Sequence, residues 1–290
     1  MRAFAYERPT ALADALGLLA GRGDDVRLLA GGTDLIIGLR DRSIQPALVV
    51  DVKRIAELDG DIGELDGGGL RIGARTTMTA IAADPRIRAD HQALAEAAAV
   101  VGSVQIRNRA TLAGNICNAS PAADTAPALL VDGATVVVAG PDGARRVPID
   151  GFFVRSRVTT LRPGELVTAI ELPPAPQPRG SAHVRRTRRR GHDLASVTLT
   201  AAALPDGVTR LAYGSLGPRP VVVEDRTGVL ADPAAPNRAK MERLEALFVG
   251  ASPSARSMRA SPEYRLAMLH VLGLRAVRAA VERRAARTAR

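Results

Sequence analysis

Two segments of the 290-residue sequence carry residue types and spacings that can hold a ligand. The first is Leu28-Leu29-Ala30-Gly31-Gly32-Thr33-Asp34-Leu35, an apolar run that ends in a glycine pair and leads into a helical pattern. Glycines at a strand-to-helix turn let backbone N–H groups converge on an anion, and Thr33 adds a hydroxyl donor. A pyrophosphate suits that chemistry, and the same glycines also serve a plain left-handed turn with no ligand. The segment has neither the Gly-x-Gly-x-x-Gly spacing of the common dinucleotide fold nor the Gly-Lys-Ser/Thr of a P-loop, so both assignments lose support.

The second segment runs from Gln105 to Asp124. Between Ala110 and Ala123 it holds no charge, yet it offers Thr111, Asn115, Asn118 and Ser120 among small residues. Such a stretch lets the main chain approach a large flat ligand while amides and hydroxyls orient it. Ser120-Pro121 reads as a helix start, with Ser120 as the cap and Asp124 in the first turns. The Asp124 carboxylate is then placed either to accept from a ribose or ribityl hydroxyl or to offset the helix dipole.

Little else in the chain reads as chemistry. A single cysteine, Cys117, excludes a disulfide framework and any four-cysteine zinc or iron–sulfur site built from this chain. The four histidines stand at 91, 183, 192 and 270 without a His-x-x-x-His pair, so no metal site and no catalytic residue are assigned. His192 and Asp193 form an adjacent pair. The net charge of +10 is uneven: residues 1–180 carry −1 and residues 181–290 carry +11. Aromatic residues number seven, with no tryptophan, so the stacking platforms of single-strand binders are nearly absent and nucleic acid is not expected as a partner. No run of 18 apolar residues is present, so no membrane span is read and the expected location is the cytoplasm.

The elements that must position these segments fall on either side of Pro173-Pro174-Ala175-Pro176-Gln177-Pro178, which denies both helix and central strand. Two domains follow, residues 1–172 and 180–290, the first divided into subdomains of about 1–58 and 59–172. In the first subdomain Thr10 caps an amphipathic run with Leu12, Leu16 and Leu19, Val26–Ala30 and Ala47–Val52 read as strands, and Asp34–Arg40 as a short helix. In the second, Glu64–Asp66 and Leu70–Gly73 flank a glycine turn, Thr77–Ala83 and Ala93–Val101 read as helices, and Thr135–Ala139 pairs with Arg145–Ile149. The last region opens with strands at His183–Arg188, Ser196–Leu204 and Val208–Ser215. Helices follow at Met241–Phe248 and from Ser261-Pro262-Glu263, the latter with a stripe of Leu269, Leu272, Ala276 and Ala280 and with Arg265, Arg275, Arg278, Arg283 and Arg284 on its surface.

Ala30-Gly31-Gly32-Thr33-Asp34 and Arg109–Asp124, in this order and separation, resemble the two FAD-binding segments of the flavoprotein (medium) subunit of molybdenum hydroxylases, the group of xanthine and carbon monoxide dehydrogenases. Ile72–Thr77 and Ala260–Arg265 resemble that family's strand-to-helix link and the start of its C-terminal helix. The resemblance implies an α+β fold: a two-subdomain FAD-binding unit of the vanillyl-alcohol-oxidase type, then an α+β C-terminal domain. It implies that Leu28, Leu29, Ala30, Gly31, Gly32, Thr33, Asp34 and Leu35 wrap the FAD pyrophosphate. Thr111 and Asn115 then hold the diphosphate and ribityl region, Gly114 admits the backbone, and Asp124 accepts from a cofactor hydroxyl. Val101 and Val167 align with positions lining the adenine or flavin pocket, and Arg185 stands where the family has a lysine near the flavin ring. Arginine presents a planar, permanently charged fork in place of a point charge.

The function this resemblance implies is electron transfer within an oxidoreductase complex. A large subunit with a molybdenum cofactor oxidises substrate, a small 2Fe-2S subunit relays electrons, and FAD on this chain passes them to NAD, a quinone or oxygen. Two other readings stand beside it. A self-sufficient FAD-dependent oxidase or reductase of the same fold needs its own acid or base over the flavin. A basic binding module would centre on Arg185–Arg190, five arginines in six positions that are commonly solvated or docked on an acidic partner.

Overall fold

In the computed structural model, residues 1–189, 191 and 193–289 are described; Arg190 of the arginine run and His192 of the His–Asp pair lie outside the described residues. The chain begins with β1 (Ala5–Glu7), α1 (Leu12–Leu19), β2 (Val26–Leu29), α2 (Leu35–Arg40) and β3 (Leu48–Asp51). Its three strands form a parallel sheet in the order β1-β3-β2. Helix α1 buries Ala15 and Leu19; of the expected stripe only Leu19 is fully buried, with Leu12 and Leu16 half-buried against the same core. Thr10 does not cap it. Ala11 occupies the cap position without a side-chain bond, and the Leu12 N–H instead donates to the Glu57 carboxylate, 3.2 Å to each oxygen.

Next come β4 (Ile62–Glu64) and β5 (Leu70–Gly73), a hairpin turned through Gly67 and Gly68 at φ of +91° and +90°. Six short helices follow: α3 (Met78–Ala83), α4 (Pro85–Asp90), α5 (Gln92–Ala99), α6 (Val104–Arg107), α7 (Leu112–Cys117) and α8 (Thr125–Asp132). The strands β6 (Thr135–Gly140), β7 (Gly143–Pro148), β8 (Phe153–Arg155), β9 (Val158–Thr159) and β10 (Leu166–Leu172) complete this part. A five-stranded antiparallel sheet results, ordered β4-β5-β10-β6-β7. The helix expected from Pro121 begins four residues later, at Thr125. Ser120 Oγ accepts only from the Ala122 N–H at 3.3 Å, and the Pro121 carbonyl is taken by the Ser215 N–H at 2.6 Å, which holds the intervening turn out of the helix.

Residues 173–179 form neither helix nor strand and lead to β11 (Gly180–Arg186), β12 (Val197–Ala203), β13 (Thr209–Gly214), β14 (Val221–Asp225), α9 (Asn237–Leu247) and α10 (Pro262–Thr288). The four strands make one antiparallel sheet in sequence order. Its alternate residues serve two cores: Leu199, Ala201, Ala203, Leu211 and Tyr213 pack with α9 and α10, whereas Ala202 and Ala212 join the core that includes α8. Ser261 caps α10 by accepting from the Tyr264 N–H, and Leu269, Leu272, Ala276 and Ala280 are buried as the sequence predicts. Arg265 is not on the surface. It is 3% exposed and donates to the Ser196 carbonyl at 3.0 Å. Arg283 and Arg284 likewise donate to the carbonyls of Ser181, Leu204 and Ala231 at 2.6–2.9 Å, so much of the basic character of this helix is spent on fastening it to the sheet.

A buried ionic group joins the connection to the preceding helices. Asp132, at the end of α8, accepts from His91 Nδ1 at 2.9 Å and from the Arg179 guanidinium, and all three residues are no more than 5% exposed. Burial pushes the Asp132 carboxyl up, but the charges of Arg179 and His91 outweigh this and hold it below the ordinary carboxylate range. A carboxyl depressed in the native state contributes stability above its unfolded value, about 3.9, and loses that contribution as pH falls through the lower native value. Asp132→Asn is expected to cost about 3–5 kcal/mol at pH 7, because Arg179 is left buried without its counter-charge. Urea unfolding of both proteins between pH 7 and pH 3 checks this: the gap should narrow as pH falls, and a gap independent of pH would contradict it.

Candidate functional site

The two sequence-predicted segments meet. Gly31, just beyond the end of β2, lies so close to the second segment that a Cβ built on it would stand 2.1 Å from the Arg109 carbonyl oxygen and 3.0 Å from the Ala110 Cα. Only glycine permits that backbone contact. Around it opens a cleft of about 110 Å³ lined by Ala30, Gly31, Lys53, Arg75, Thr77, Asn108, Arg109 and Thr111. Gly32 follows at φ +76°, a conformation that turns the chain toward α2. Among the described residues, the backbone N–H groups of residues 31–35 find no acceptor within the protein. Five consecutive free donors beside a glycine-permitted backbone contact form a cradle suited to an anion.

The far side of the cleft is held by reciprocal links. The Met78 N–H donates to the Ala110 carbonyl at 2.9 Å and the Leu112 N–H to the Thr76 carbonyl at 3.2 Å, which pairs Thr77 with Thr111. Thr77 and Thr111 each accept from the backbone three residues ahead, Thr77 from Ala80 at 3.3 Å and Thr111 from Gly114 at 3.1 Å. Lys53 and Arg75 enter from two other directions and were not among the residues predicted for the site. Lys53 Nζ stands 2.7 Å from Asp51, a buried carboxylate that also accepts from the Tyr6 hydroxyl at 2.5 Å. Burial pushes the Asp51 carboxyl up, but the bonds from Lys53 and Tyr6 hold it below its usual range.

Other predicted residues gather in a second cluster along α7 and α8. Asn115 Oδ1 accepts from the Thr125 hydroxyl at 2.6 Å. Next to Thr125, Asp124 is 7% exposed, and its carboxylate receives Arg185 Nη1 at 2.6 Å and the Thr198 hydroxyl at 3.1 Å, with His183 Nε2 at 3.5 Å. Arg185 also donates to the carbonyls of Val100, at 2.8 Å, and Asp193. The carboxylate of Asp193 in turn accepts from the N–H groups of Arg188 and Arg189 at 3.0 and 3.1 Å. Arg185 therefore ties the start of α8, the end of α5 and the segment after β11 into one network.

The rest of the predicted set is distributed around these two clusters. Leu28 and Leu29 lie half-buried in β2, Thr33 and Leu35 are half-buried, and Asp34 and Gly114 are exposed. Val101 is half-buried against the first core, one residue past the carbonyl that Arg185 binds. Val167 is buried in β10 at an irregularity of its pairing with β6 and is not among the residues that line the cleft.

Residues 2–175 match the family described as the FAD binding domain in molybdopterin dehydrogenase. The chain is 35% identical over 282 residues to the putative xanthine dehydrogenase FAD-binding subunit XdhB of Escherichia coli K12, covering 95% of each. It is 32% identical over 281 residues to the carbon monoxide dehydrogenase medium chain of Hydrogenophaga pseudoflava, covering 96% of each. The solved carbon monoxide dehydrogenase from Hydrogenophaga pseudoflava that lacks the Mo-pyranopterin moiety superposes with a TM-score of 0.88 at 30% identity, over 97% of this chain and 98% of that one. The expected mixed helix-and-sheet fold of the medium chain is therefore the fold observed. With two segments brought together as the resemblance implies, and with similarity along nearly the whole sequence, the chain belongs to the family of the FAD binding domain in molybdopterin dehydrogenase.

Proposed function

We propose that this chain is the FAD-binding electron-transfer subunit of a multi-subunit molybdenum hydroxylase, working in the cytoplasm beside a molybdenum-cofactor large subunit and a 2Fe-2S small subunit. The proposal divides the chain into a cofactor-binding unit, 1–172, and a C-terminal unit, 180–290. The observation that carries it is the cleft at which Gly31 abuts Arg109, with free backbone donors at 31–35. These residues fit FAD: a diphosphate is the anion such a cradle takes, and a larger residue at position 31 would close the contact.

Bound FAD would supply a two-electron store able to exchange electrons with one-electron partners and with a final acceptor, NAD, a quinone or oxygen. The chain's own residues bind and orient it. In this reading Leu28 to Leu35 wrap the pyrophosphate, Thr111, Gly114 and Asn115 border it from the second segment, and Val101 and Val167 belong to the apolar surroundings of the rings. Asp124 and Arg185 act as a pair. Because Arg185 is anchored to Asp124 and two carbonyls, its guanidinium is fixed in place, and the Asp124 carboxylate reaches a cofactor hydroxyl only through capacity left over from Arg185 and Thr198. The names borne by the relatives, FAD-binding subunit and medium chain, support the role of a component within a larger enzyme. Docking on acidic partner surfaces falls to exposed arginines such as Arg186, Arg188 and Arg189, since Arg265, Arg283 and Arg284 are engaged within the chain.

Denaturation of the purified protein is expected to release FAD and no FMN, as read by chromatography of the released flavin; a protein unable to take up FAD would sink the reading. Gly31→Ala should weaken FAD binding strongly by forcing the two backbones apart, and Asn115→Ala by about 0.5–1.5 kcal/mol through loss of one hydrogen bond from its side-chain amide. Co-expression with molybdenum and iron–sulfur partner subunits should yield a larger assembly whose flavin is reduced by the complex's substrate. Turnover of an organic substrate by the isolated chain would favour a self-sufficient oxidase instead.

A further inference from the structure

The charge lining the cleft is not explained by the two predicted segments alone. Three cationic side chains border it: Lys53, Arg75 and Arg109. Lys53 is already committed to Asp51 at 2.7 Å, so its charge is offset. Arg75 is different. It follows β5, its backbone N–H donates to the Asp59 carbonyl at 3.0 Å, and its Nη1 donates to the Lys53 carbonyl at 2.5 Å. Its Nε is buried and has no hydrogen-bond partner. Among the described residues neither Arg75 nor Arg109 forms an ion pair. Two guanidinium groups without a counter-charge at one cleft favour an anion with several oxygens.

Resting on the FAD reading, we propose that Arg75, seconded by Arg109, is the charge-supplying residue of the cofactor's diphosphate subsite. The Lys53 carbonyl fixes the guanidinium through Nη1, which leaves the Nη2 group to donate to phosphate oxygens. The amides of residues 31–35 then supply shape and direction, and the two arginines supply the charge, which makes the cleft selective for the diphosphate-bearing part of the molecule over the flavin ring. The segment holding Arg75 is thereby a third contributor to the site, set between the two that the sequence displays.

The test uses the full-length chain freed of flavin and titrated with FAD by fluorescence, with ADP and riboflavin as competitors, at several salt concentrations. Arg75→Gln should weaken FAD and ADP by about 10- to 100-fold and flatten the salt dependence of both, while riboflavin competes as before. Arg75→Lys should recover part of the loss. Arg109→Gln, at an exposed position, should give a smaller loss of the same kind and decides the matter if the Arg75 variants do not fold. Folded Arg75→Gln that binds FAD and ADP as tightly as the parent would overturn the inference. A parent chain that binds no FAD would overturn the functional reading itself.

Discussion

A single backbone contact governs the architecture: Gly31 against the Arg109 carbonyl and Ala110 Cα, at a separation that excludes any Cβ. It presses a turn of the parallel sheet onto the segment that precedes α7. With the pairing of Thr77 and Thr111 it brings three stretches, distant in sequence, to one cleft. The free N–H groups of residues 31–35 are a consequence of the same turn. A chain that runs from β2 into α2 through Gly32 at positive φ leaves those donors, the last of them in the first turn of α2, without a partner in either element.

The C-terminal sheet is fastened to this unit by polar contacts as well as by its core. Arg283 bridges Ser181 and Glu96, Arg185 bridges Asp124, Val100 and Asp193, and Arg179 meets Asp132 beside His91. Each arginine links the C-terminal part, or the connection leading to it, with α5 or α8. Glycine again sets the approach: a Cβ on Gly180 would stand 2.0 Å from the Ala280 carbonyl, and one on Gly214 would stand 2.7 Å from that of Pro121. Part of the positive charge of the last 110 residues, at Arg185, Arg265, Arg283 and Arg284, is thus an internal fastening, which a count of arginines cannot reveal.

Much of the framework was legible from local pattern. The hairpins, the proline-rich connection and the capped C-terminal helix follow from glycine, proline and serine chemistry that acts over a few residues. Both anion-compatible segments were legible for the same reason. Lys53 and Arg75 were not, because their place at the cleft depends on sheet order: β5 lies beside β10, and the turn after it reaches the first segment only in three dimensions. The turn at Pro121 to Asp124 was read as helix because its competitor, the Ser215 N–H, lies about ninety residues away in the chain. Arg265 reads as surface in any helical wheel, and is buried because the Ser196 carbonyl needs a donor.

The central claim is that the cofactor's anionic part is held where the two segments meet. Amide hydrogen exchange of the full-length chain, with and without FAD, tests it most directly, since residues 31–35 have exchangeable N–H groups without a protein acceptor. The account predicts slowed exchange on FAD binding at residues 31–35 and 109–115 together, with little change on the outer face of α10. Protection confined to one of the two segments, or centred elsewhere while both continue to exchange freely, would contradict it.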